Sequence, residues 1–154
     1  MKKQVYNPFL PLSEYIPDGE PHVFGDRVYH YGSHDREGGY TYCMDDYVVY
    51  SAPVDDLTAW KCEGVSYRAE QDPDYAEFPY MYAPDVVKGN DGCFYLYYCM
   101  AGEYGIGGYS RPISVAVSKY PQGPFTYLGH VHFADGSIMK KYVCFDPAVM
   151  NDNG

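Results

Sequence analysis

The sequence predicts an all-β fold, a β-propeller with two four-stranded blades and the start of a third. Three observations carry that prediction: a motif that recurs three times, a second landmark recurring at the same interval, and a composition heavy in tyrosine. Met81-Tyr82-Ala83-Pro84-Asp85-Val86-Val87-Lys88 is followed by a turn, Gly89-Asn90-Asp91-Gly92, and by the alternating aromatics Phe94-Tyr95-Leu96-Tyr97-Tyr98. This reads as strand, hairpin, strand, with an acid at the mouth of the first strand. The same unit runs from Asp18 to Tyr31, with Gly25 at the turn and Tyr29-x-Tyr31 after it. It begins a third time at Asp146-Pro147-Ala148-Val149, where the chain stops at the turn. Asp85 lies 67 residues after Asp18 and 61 before Asp146, and Ser118 lies 67 after Ser51. A four-strand unit recurring at a fixed period predicts propeller blades; the length beyond the common ~40–50-residue repeats belongs in loops.

Taken in order, residues 4–17 carry Pro8, Pro11 and Pro17 and predict an extended lead-in. The first blade, about 18–66, has strands at Asp18–Gly25, Arg27–Ser33, Asp46–Ser51 and Trp60–Val65. His34-Asp35-Arg36-Glu37-Gly38-Gly39 is a polar, glycine-rich loop, and a long polar loop over 66–80 crosses to the next blade. The second blade, about 81–133, has strands at Asp85–Lys88, Cys93–Cys99, Ile113–Ser118 and Phe125–Gly129. Its loop Gly102–Gly108 is followed by Arg111-Pro112 and a strand rather than a helix, so it is no phosphate cradle. A third blade starts at about 144 and runs to 154. No segment carries a helical period.

The balance of 11 basic against 21 acidic residues, a net charge of −10, argues against nucleic acid or an anionic membrane as partner. Twenty tyrosines against one tryptophan suit half-buried sheets and stacking on sugar rings. The five cysteines form no Cys-x-x-Cys pair and are odd in number, so neither a zinc site nor a disulfide framework is expected, and no cofactor is implied. The first residues lack the apolar stretch of a signal peptide, and no run is long enough to span a bilayer. The expectation is a cytoplasmic protein in a reducing compartment.

Strand direction then places the chemistry. Acids that open the innermost strands and the loops joining second to third strands share one end of the blades. Asp18, Asp85, Asp146, His34, Asp35, Asp45 and Asp46 are therefore expected around one mouth. Carboxylates converging there repel unless they share protons or bind something. Paired carboxylates in a cleft are the apparatus of glycoside hydrolysis.

On these residues the chain resembles glycoside hydrolase family 43. The resemblance is carried by Asp18-Gly19-Glu20-Pro21-His22-Val23-Phe24, by Tyr29 with Gly32-Ser33-His34-Asp35, and by Met44-Asp45-Asp46-Tyr47. Met81-Tyr82-Ala83-Pro84-Asp85 and Phe145-Asp146-Pro147-Ala148-Val149 extend it along the chain. The resemblance implies an incomplete five-bladed propeller and inverting hydrolysis of arabinose- and xylose-containing oligosaccharides or polysaccharides. It implies Asp18 as general base and Asp85 as the acid that tunes and positions the proton donor. His34, Asp35, Asp46, Tyr82 and Asp146 are expected to line the substrate. Two departures stand out: Gly19 follows the base where the family usually has proline, and Tyr82 replaces a tryptophan. The family's general acid, a glutamate of a later blade, has no match here, so the chain alone is expected to be inactive or poorly soluble, with the remaining blades absent. A non-catalytic carbohydrate-binding module and a fructoside-acting relative are the competing expectations.

Overall fold

The computed structural model describes residues 7–75, 79–101, 111–140 and 144–152. Its strands are β1 (Glu20–Phe24), β2 (Arg27–Tyr31), β3 (Tyr47–Pro53), β4 (Lys61–Tyr67), β5 (Met81–Lys88), β6 (Phe94–Met100), β7 (Ile113–Ser118) and β8 (Thr126–His130). They form two four-stranded sheets in the orders β1-β2-β3-β4 and β5-β6-β7-β8. Every neighbouring pair is antiparallel. This is the blade arrangement the repeat predicts.

The turns form where the chemistry asks for them. Gly25, at φ 67°, closes the β1–β2 hairpin with Phe24 opposite Arg27. The β5–β6 hairpin is held by the Asp91 carboxylate, which accepts from the Cys93 amide at 3.0 Å and the Tyr95 hydroxyl at 2.7 Å. In β6 the alternation has a direct consequence: Phe94, Leu96 and Tyr98 are buried while Tyr95 and Tyr97 are half-exposed.

The core lies between the two sheets. Tyr29, Tyr31, Tyr47, Val49 and Tyr67 of the first blade meet Val86, Phe94, Leu96, Tyr98, Ala116 and Phe125 of the second. Several tyrosines cross that interface with ring and hydroxyl together. Tyr31 donates to the Pro121 carbonyl at 2.7 Å and Tyr47 to the Tyr82 carbonyl at 3.1 Å. Tyr67 and Tyr98 join hydroxyls at 2.8 Å, and Tyr98 donates to the buried Asp72 carboxylate at 2.5 Å. Burial pushes all four phenols up, so they act as neutral donors.

Two features differ from the sequence reading. The inner strand of the second blade begins at Met81 rather than Asp85, because a bulge between Tyr82 and Asp85 lets pairing start early and resume at Asp85 opposite Tyr97. Pro84, which has no N–H to offer the ladder, sits in that bulge. The crossing loop also contains a short 3₁₀ turn, Ala69–Gln71, whose single turn is too brief to show a period. The loop Gly102–Gly108 lies outside the described residues.

The Tyr98 hydroxyl gives a measurable prediction. Tyr98→Phe leaves the buried Asp72 carboxylate without its closest donor, and equilibrium denaturation should show a loss of about 1–3 kcal/mol. An unchanged denaturation midpoint would mean that the hydroxyl chain across the blades adds nothing.

Candidate active site

The segments that open the three blades share a backbone feature. Asp18, Ala83 and Asp146 take left-handed conformations, with φ of 55°, 36° and 45°. Such angles are uncommon outside glycine. Each of these residues stands where the chain bends into an innermost segment. The blade-two counterpart of Asp18 is therefore Ala83, and Asp85 lies two residues further along. Pro84 and Pro147 hold the same place in their segments, so Asp146 matches Ala83 and Ala148 matches Asp85.

Asp18 and Asp146 are both exposed at this mouth. Desolvation, and after it the charge of Asp18, raises the Asp146 carboxyl above its ordinary value, which marks the two carboxylates as electrostatic neighbours. Asp18 receives a hydrogen bond to Oδ2 from the Ser33 hydroxyl at 3.3 Å.

Asp85 is buried and fully engaged. Its Oδ1 meets His22 Nε2 at 2.5 Å and the Val86 amide at 2.7 Å, and its Oδ2 accepts from the Val149 amide at 2.7 Å. Burial works to raise this carboxyl, but the His22 bond and the two amides outweigh it and hold it below the usual range. Asp85 thus ties β1, β5 and the third blade's opening segment together from within.

The remaining expected residues divide by what they touch. Asp35 Oδ1 accepts from the Cys43 amide at 2.6 Å, and the residue lines an open hollow of about 480 Å³ with Tyr15, Tyr40 and Tyr42. Tyr40 and Tyr42 are 80% and 72% exposed there. His34 braces the lead-in, its Nδ1 2.7 Å from the Asp46 carbonyl and its Nε2 3.6 Å from the Glu14 carboxylate. Asp46 turns toward the blade crossing, accepting from Arg68 Nη1 at 3.0 Å and the Ala69 amide at 2.9 Å. Asp45 pairs with Arg36. Tyr82 is buried, its ring 6.0 Å from that of Phe145, and burial first of all pushes its phenol up to about 12. Among the described residues no group of three or more His, Cys, Asp or Glu side chains is placed to hold a metal ion. No helix there is long and apolar enough to cross a membrane.

Sequence reasoning missed Ser33 and His30. Ser33 is completely buried, and its Oγ accepts from the Ala83 amide of the next blade at 2.7 Å. His30 explains Gly19: a Cβ at residue 19 would lie 1.9 Å from His30 Cε1. The imidazole, edge-on to Phe9 and Trp60, fills the space a side chain at 19 would need. Burial lowers the His30 pKa, so the ring packs there uncharged. The signal for this pair was present only as the glycine after Asp18.

Comparison with known proteins agrees with this fold. The chain belongs to the family described as Glycosyl hydrolases family 43, whose model matches residues 6–154. It is 46% identical over 157 aligned positions to a xylosidase/arabinosidase of Thermoclostridium stercorarium, covering 99% of this chain and 32% of that protein. Xylosidase/arabinosidase 43A of Humicola insolens is 35% identical over 147 positions, covering 90% of this chain and 41% of that one. Among solved structures, the GH43_1 enzyme from Xanthomonas citri complexed with xylotriose superposes with a TM-score of 0.69 at 29% identity, over 95% of this chain and 39% of the enzyme. The chain thus spans 32–41% of the length of these relatives.

Two outcomes follow from the geometry. The depressed Asp85 carboxyl contributes stability that is complete above the ordinary carboxylate value, about 4, and is lost as pH falls through the depressed one. The stability gap between the unaltered chain and Asp85→Asn, followed by thermal unfolding against pH, should therefore narrow on acidification; a gap constant from pH 7 to pH 2 contradicts it. Gly19→Ala should cost about 1–3 kcal/mol by overpacking. That cost should largely vanish when the substitution is made in a His30→Ala background, and a double-mutant cycle measures the difference.

Proposed function

We propose that these residues form the water-activating part of an inverting glycoside hydrolase site acting on arabinose- and xylose-containing saccharides. The observation that carries the reading is the pair of exposed carboxylates, Asp18 and Asp146, on matching left-handed bends and near enough for the charge of one to act on the other. Family membership and the xylosidase/arabinosidase relatives support the same chemistry and the sugar class.

In this reading Asp18 is the general base. It accepts a proton from water as the water oxygen bonds to the anomeric carbon. The glycosidic C–O bond breaks, its electron pair passes to the leaving oxygen, and that oxygen takes a proton from an acid, the glutamate that the family resemblance assigns to a later blade. Inversion asks for about 6.5–9.5 Å between base and acid, room for the water. Asp146 is the partner carboxylate whose charge bears on the site. Asp85 acts one step back, holding Val149 and so the segment that presents Asp146. The hollow beside Asp35, with Tyr40 and Tyr42 exposed, offers ring faces to a saccharide.

The test replaces Asp18 by Asn in a protein that carries these residues within a complete propeller. Turnover of a xylo-oligosaccharide should fall ~10²–10⁴-fold, the share general base catalysis supplies, with ligand affinity retained. Turnover unchanged by Asp18→Asn ends the assignment. Sugar binding with no turnover in the unaltered protein points instead to a non-catalytic carbohydrate-binding module.

A further inference from the structure

Building on the assignment of Asp18 as base, we infer that Ser33 is the residue that positions it, its hydroxyl anchored on the neighbouring blade and aimed at the Asp18 carboxylate. A serine hydroxyl has one proton to give and two lone pairs to fill. The Ala83 amide fills one of them at 2.7 Å. The hydroxyl proton is left for Asp18 Oδ2, 3.3 Å away.

The surrounding backbone is shaped to permit this bond. A Cβ at Gly32 would lie 2.5 Å from Ile16 Cγ2 and 2.8 Å from the Pro17 carbonyl oxygen, so only glycine lets the end of β2 press against the segment leading to Asp18. On the other side, the β5 bulge takes Ala83 out of the ladder with β6 and leaves its amide free for Ser33. Ser33 is wholly buried, so water does not compete for these bonds. The orientation of the base is thereby set by the packing of one blade on the next.

Substitution separates positioning from mere folding. A donated hydrogen bond favours the charged form of a carboxylate, so its loss makes proton uptake easier. In the complete enzyme, Ser33→Ala should lower kcat about tenfold with KM nearly unchanged, and should move the acidic limb of the kcat/KM profile to higher pH. Ser33→Thr, which keeps the hydroxyl, should restore the limb. A Ser33→Ala enzyme that is less stable but has an unmoved pH profile and full kcat overturns the inference. Should Ser33→Ala not fold, Ser33→Cys keeps the size with a far weaker donor, and a profile identical to the unaltered enzyme then overturns it. If Asp18→Asn abolishes turnover while the Ser33 variants behave normally, the base assignment stands and this inference alone fails; if Asp18→Asn is fully active, the base assignment itself is wrong.

Discussion

The geometry of the mouth depends on one buried carboxylate. Asp85 joins His22 of β1, the amide of Val86 in β5 and the amide of Val149 in the opening of the third blade. A charge withdrawn from water to this degree is tolerable only where donors converge on it. The same requirement fixes three segments at a common depth. Asp18 stands four residues before His22 and Asp146 three before Val149, so both exposed acids hang from the ends of segments pinned at a single point. The least exposed of the three acids thus governs where the two exposed ones stand.

The tyrosines solve a related problem on a larger scale. Two twisted sheets packed by aliphatic side chains alone could slide with little penalty, since dispersion has no direction. A tyrosine adds a donor at the far end of a rigid ring. Tyr31, Tyr47 and Tyr67 each reach a polar atom on or beyond the facing sheet, so a shift in register would strand buried hydroxyls. The aromatic richness of the sequence therefore serves chiefly the joint between blades. Tyr40 and Tyr42, in the loop beside Asp35, are the most exposed tyrosines among the described residues, while Tyr75 and Tyr120 are exposed elsewhere on the surface.

Much of this was legible in the sequence, and the failures have physical causes. Strand patterning, turn glycines and the 67-residue repeat together marked all eight strands, because strand burial and hairpin closure are local properties. The resemblance carried by the Asp18 and Asp146 motifs identified the family. The register within the repeat was harder to read. Asp85 looked like the counterpart of Asp18 because both are acids, whereas the shared prolines at 84 and 147 align Asp146 with Ala83. Backbone conformation, rather than side-chain type, is what the repeat preserves. His34 and Asp46 stand in a stretch rich in acids, yet their side chains brace Glu14, Arg68 and Ala69, contacts decided by how the lead-in and the crossing loop fold back. The role of Ser33 was invisible for a similar reason: its bond to Ala83 spans 50 residues and exists only when two blades are docked.

The left-handed bend at Ala83 is where these threads meet. A non-glycine residue there carries backbone strain of roughly 1–3 kcal/mol, and alanine has no side-chain hydrogen bond with which to offset it. At Asp18 and Asp146 the same bend can be understood from the carboxylates it presents. At Ala83 the side chain presents nothing, and the residue is buried. What the bend does supply is an amide turned out of the β5–β6 ladder and toward Ser33. The strain at blade two is then compensated by a bond that serves blade one. A propeller mouth built this way does not orient Asp18 by a single blade; the placement of that carboxylate is a property of two blades in contact.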